Sequence, residues 1–171
     1  EVQGETFADQ WFDTVSGSVM GGSAWTRWLR TWVRASAGEG VLYDPDNPST
    51  GFEQALFFDL NLQPVPMISF GPTLGWERFT QAGTEIYDGT ILRMKLELFA
   101  TSRLWNRWIF ERSTFDNGQS LETLFAWEHA PGRAVYLGGR TGVVEGTESS
   151  PSPTQGRREW TIFAKAAWDF D

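Results

Sequence analysis

Apolar and polar residues alternate most strictly between Thr90 and Phe99, where Leu92, Met94, Leu96 and Leu98 interleave with Arg93, Lys95 and Glu97. A period of two puts successive side chains on opposite faces of an extended chain, so the segment predicts a half-buried strand with its Leu/Met set facing the core. Trp160 to Phe170 repeats the pattern, with Trp160, Ile162, Ala164, Ala166, Trp168 and Phe170 on one face and Thr161, Lys165 and Asp169 on the other. Ala55 to Leu62 predicts a third strand through Leu56, Phe58, Leu60 and Leu62. Pro64 and Pro66 end it, and Met67 to Phe70 resumes as a short apolar strand. Weaker strands fit Ala134 to Leu137 and Thr141 to Glu145, either side of Gly138-Gly139.

Two segments carry helical spacing instead. In Ser23 to Ala37 the apolar Trp25, Trp28, Leu29, Trp32 and Val33 fall on one helical face, with Ser23 as N-cap and Gly38 as stop. Ser120 to Ala130 offers Leu121, Leu124 and Phe125 between the turn signal Asn117-Gly118 and Pro131-Gly132. Leu104 to Phe110 is ambiguous between strand and helix. Loops are expected at Tyr43 to Gly51, Gly71 to Gly83 and Gly146 to Gln155. The elements add up to a single α+β domain over residues 1–171, a mostly antiparallel β-sheet with one or two helices packed on one face. An all-β sandwich or jelly roll is the alternative. Residues 1–22 are expected to form a flexible or extended N-terminal segment.

Composition bears on function more than any motif does. Ten Trp and thirteen Phe stand against one His and no Cys. Aromatic side chains supply contact area, whereas His and Cys supply most proton transfer, metal ligation and thiol chemistry near neutral pH. That inventory favours a non-enzymatic protein that packs and binds, with no catalytic residue, no metal site and no cofactor assigned. A formal net charge of -8 repels phosphates, so direct nucleic-acid binding is not expected. No apolar run reaches the roughly 18 residues of a helical membrane span, and no span is expected. The N-terminus is too polar for a signal peptide, and a chain beginning at Glu1 fits either a processed or a trimmed product.

The remaining motifs are near misses. Gly17 to Ser23 has the outer glycines of a phosphate loop but puts Ser23 where the lysine belongs. Asp44 and Asp46 in YDPDN could offer oxygens to calcium, yet the segment lacks the distal Glu of a helix-loop-helix site and reads as a turn. His129 is expected near a helix C-terminus as a surface or capping residue. The candidate partner-binding residues are aromatic. Trp25, Trp28 and Trp32 form a stripe that serves core packing or a partner-binding, self-assembling face, with a membrane-surface helix as a third reading that the acidic remainder of the chain argues against. Trp76, Trp105 and Trp108 could stack on sugar rings.

The order of elements supplies one family-level likeness. A helix, the apolar stretch Pro64 to Pro72, a long strand ending at Phe99, a helix, a strand pair and a C-terminal strand follow one another. That succession resembles the tail-terminator and tail-completion proteins of long-tailed bacteriophages over roughly residues 41–171. The resemblance implies a structural subunit of a phage tail or neck that assembles into a homo-oligomeric ring with other structural proteins, located in the virion. The runner-up is a secreted carbohydrate-binding β-sandwich, and a carboxylate hydrolase is the third class.

Overall fold

The structure is a computed structural model describing residues 2–7, 10–43, 48–130, 132–144 and 157–168. Among these residues there is no helix. Ten strands follow one another: β1 (Val2–Phe7), β2 (Gln10–Thr26), β3 (Leu29–Leu42), β4 (Ser49–Val65), β5 (Ile68–Gln81), β6 (Thr84–Thr101), β7 (Leu104–Ser113), β8 (Gln119–Ala130), β9 (Arg133–Val144) and β10 (Arg157–Trp168). Each pairs antiparallel with the next, so spatial order equals chain order. β2 to β10 make a nine-strand ladder, and β1 joins it along the first half of β2, at residues 10–15.

This corrects the α+β expectation. Ser23 to Ala37, read as a helix, is the β2–β3 hairpin turning at Arg27 and Trp28. The spacing of Trp25, Trp28 and Trp32 imitates a helical stripe. In the structure Leu29, Thr31, Val33 and Ala35 alternate with Arg30, Trp32, Arg34 and Ser36, and the β-branched Thr26, Thr31 and Val33 suit the pleat. Ser120 to Ala130 belongs to β8, where Leu121, Thr123, Phe125 and Trp127 form a period-two face; Leu124 lies on the opposite face and had suggested helical spacing. The two-sheet alternative is not the architecture either, since all the strands share one sheet.

Strand readings fare better. Thr90 to Phe99 lies inside β6, the Ala55 strand inside β4, and the C-terminal strand runs as β10 to Trp168. Leu104 to Phe110 is strand β7. Residues 71–81, expected as loop, continue β5, and Gly138-Gly139 interrupts nothing within β9. Residues 2–7 and 10–22 of the N-terminal segment are strand. Asp44, Asp46 and the Gly146 to Gln155 loop lie outside the described residues.

The connections differ between the two ends of the sheet. β2–β3, β4–β5, β6–β7 and β8–β9 are each joined by a two-residue connection. At the other end the chain uses residues 43–48, 114–118 and 145–156, besides two-residue connections at 8–9 and at Ala82 and Gly83. Ala82 and Gly83 both have positive φ, at 49° and 81°, the combination of a type I′ hairpin whose twist matches the strands.

Candidate functional site

Register assigns every side chain to one of two faces, because directly opposed residues point the same way. One face carries Val33, Phe58, Leu74 and Leu92 in one row, Leu62, Phe70, Leu96 and Trp108 in the next, and Leu98, Phe125, Leu137 and Ala164 beyond. It is apolar across the width of the ladder. Most of its charged members gather at the end with the longer connections, where Arg78, Asp88, Arg112 and Arg158 stand with Gln54 and Gln119; Asn106, between Leu98 and Phe125, is a polar exception whose amide donates to the Leu124 carbonyl.

The second face carries charges. Arg34, Glu53, Asp59, Glu77, Arg93, Lys95, Arg107, Glu111, Glu122, Arg140 and Glu159 all lie on it. With Glu97, also on this face, they form three ion pairs: Arg93 with Glu111 at 3.8 Å, Lys95 with Glu97 at 3.3 Å and Arg107 with Glu122 at 3.3 Å. Asp59 accepts a hydrogen bond from the Thr73 hydroxyl.

Burial does not follow chemistry. Of the buried positions, Ser69, Phe79, Gly89, Ile109, Ala126 and Gly138 belong to the charged face and Val41 to the apolar one. Apolar-face side chains stand out: Trp160 is 74% exposed, Ile162 68% and Leu137 53%. The expected burial of Leu92, Met94, Leu96 and Leu98 therefore needs correction, since all four are half-exposed or exposed on the outward side. On the charged side there is a cavity across β2 to β4, one across β3 to β6 and one across β7 to β10, while a further one lined by Ile68, Leu98 and Phe125 lies on the apolar side near the two-residue turns. Most of the buried positions and the three cavities on the charged side thus make that side the more sheltered one, a shallow hollow.

Glycines let large rings lie flat in that hollow. Phe163 covers Gly138, Phe115 covers Gly89, and Phe79 covers Gly51; a Cβ at these glycines would fall 2.3, 2.3 and 2.6 Å from the ring atoms. Phe79 stacks on Tyr87 at 5.6 Å, and the Tyr87 hydroxyl donates to Glu77 Oε1. Burial and that bonded carboxylate push the Tyr87 phenol above its ordinary range. Burial, then the neighbouring Glu77 charge, raises the Glu53 carboxyl. In the β7–β8 connection the Ser113 hydroxyl and the Gly118 amide hold Asp116 below the usual carboxylate range, against some burial.

The aromatic candidates do not form one patch. Trp25, Trp76 and Trp108 belong to the apolar face and Trp32 and Trp105 to the charged one, while Trp28 occupies the β2–β3 turn. Trp25 and Trp28 are exposed, and Trp32 packs edge-on against Phe57 at 5.4 Å. Trp76 donates its indole N–H to Asp88 at the polar margin, and Trp25 donates to Thr31. His129 is exposed on β8 beside Trp127, and its carbonyl accepts from Arg103. Among the described residues no three His, Cys, Asp or Glu side chains cluster as metal ligands. Sequence reasoning missed Glu53, Glu77 and Tyr87, which only the register brings together. No protein-family profile, curated protein or solved structure matches the chain.

Proposed function

We propose that this chain is a membrane-embedded β protein whose apolar face meets lipid and whose charged face lines a sheltered polar interior. The carrying observation is a broad apolar face that nothing among the described residues covers, with the charged residues gathered on the opposite face. In water an apolar face spread over several strands far exceeds the patches that monomers expose. In a bilayer the same face is satisfied, and the alternation apolar-out, polar-in is the pattern of transmembrane strands.

Dimensions agree with this reading. A tilted spanning strand needs about 9–11 residues, and β2 to β10 run from 10 to 18. Short connections at one end and longer ones at the other also match such proteins. Trp76, with its body on the apolar face and its N–H on Asp88, suits the level where hydrocarbon gives way to headgroups. One outer edge of the sheet is β10; the other is β1 along Gln10–Val15 of β2 and β2 itself beyond, so both edges must be covered, by closure or by a second copy, because no backbone edge can face lipid. No helix among the described residues is long and apolar enough to cross a membrane, but strands cross by another route.

The expected tail or neck subunit drew on two helices that are strands here, and the proposal is built on the sheet instead. The test is refolding into phospholipid vesicles whose acyl chains carry bromine. Quenching of tryptophan fluorescence, together with faster migration of the unheated protein on denaturing gels, is the expected result. A folded, water-soluble oligomer that ignores vesicles would overturn the proposal and favour self-association through the same face.

A further inference from the structure

The cavity across β3 to β6 differs in make-up from the rest of the hollow. It measures about 550 Å³, within the range of small-molecule sites. Its floor is made of small residues, Ala55 and Gly75; a Cβ added at Gly75 would meet nothing within 4 Å. Trp32 and Phe57 form one wall, in edge-to-face contact, and Phe115 forms another. Arg34, Glu53 and Glu77 supply the charges. Neither Arg34 nor Glu53 has an ion pair among the described residues, and Tyr87 engages only one oxygen of Glu77.

These features select a ligand by chemistry. Two carboxylates against one guanidinium leave a net negative field, which draws a cation and disfavours an anion. Aromatic walls beside the carboxylates suit a flat apolar body, and ring faces attract a positive group. We infer that this cavity binds a small organic ammonium ion carrying an aromatic ring, with the charge on Glu53 and Glu77 and the ring against Trp32 and Phe57. The inference rests on the membrane reading only in keeping this face clear of lipid.

The test is calorimetry on the full chain refolded in detergent micelles, titrated with phenethylammonium, with benzyl alcohol as neutral analogue and 3-phenylpropionate as anion. Phenethylammonium should bind saturably, and the other two should bind at least about tenfold more weakly, the scale of one charge-assisted contact. Glu77→Gln and Trp32→Ala should each weaken it by a similar factor, while Glu111→Gln leaves it unchanged. Equal affinity for all three probes, or no heat from phenethylammonium, would overturn the assignment using the unsubstituted chain alone. Bromolipid quenching without probe binding removes this inference and keeps the membrane reading; probe binding by a protein that ignores lipid does the reverse.

Discussion

Substitution of Ile162 separates a lipid-facing sheet from a water-facing one. Ile162 sits on the apolar face of β10 with Trp160, Ala164 and Ala166, opposite Gly139 of β9. It is 68% exposed, so the protein itself shields only about a third of the side chain. Ile162→Ala removes about three methylene equivalents, worth about 2.4 kcal/mol when fully withdrawn from water at roughly 0.8 kcal/mol each. If water bathes this face, only about a third of that, near 0.8 kcal/mol, is lost. If lipid covers it, the loss approaches the full amount. Ile162→Arg widens the gap: an arginine facing the bilayer interior costs about 2–4 kcal/mol, whereas surface substitutions in water stay within about 0.5 kcal/mol. The assay is guanidinium unfolding of both variants in phospholipid vesicles, followed by tryptophan emission. An Ile162→Arg protein within about 0.5 kcal/mol of the parent would refute the reasoning.

Three further outcomes probe the inward face and the turns. Gly138→Ala should cost about 1–3 kcal/mol because the new methyl displaces the Phe163 ring, whereas Gly21→Ala, with nothing within 4 Å, should be close to neutral by the same denaturation assay. The raised Glu53 pKa means that its charged form is disfavoured in the folded state, so its stabilising share is present at low pH and lost as pH rises through the folded value. Glu53→Gln should therefore raise the melting temperature at pH 7 and lose that advantage at pH 4, as thermal melts at both pH values would show. Ala82→Asn should raise stability by about 0.5–1 kcal/mol, since Asn tolerates the positive φ of this turn better than Ala; an unchanged denaturation midpoint would count against the type I′ assignment.

Much of the sheet was legible in sequence, and its orientation was not. Alternation in TILRMKLELF shows that Leu92 and Arg93 lie on opposite faces but is silent about which face meets solvent. A soluble half-buried strand and a lipid-facing strand write the same pattern. Helical spacing misled at Trp25, Trp28 and Trp32 because one of the three sits in a two-residue turn and the other two lie on different strands. Gly71, Pro72 and Gly75 suggested a loop, yet in β5 the glycines leave room on the inward face. The candidate ligand cavity was invisible for another reason: Glu53, Glu77 and Tyr87 come from three successive strands, and no local motif encodes a register.

The ion pairs fit the same orientation. Side chains in the Arg93–Glu111 and Arg107–Glu122 pairs keep between 31% and 52% exposure, and on a freely solvated surface such pairs are worth about 0–1 kcal/mol each. They are therefore weak reasons for a soluble sheet to hold so many charges on its concave side. A sheet in lipid must keep those charges off its outer face, where each would be expensive, and the hollow is the place left for them. Cross-strand pairing then limits mutual repulsion as the sheet curls and brings neighbouring strands' charges together. Glu122→Leu should accordingly destabilise the protein by about 1 kcal/mol despite adding apolar surface, because it removes the ion-pair partner of Arg107, whose Nε is already without one. Equal or greater resistance to guanidinium in that variant would mean that the inward face tolerates apolar residues and that its polarity is not structurally required.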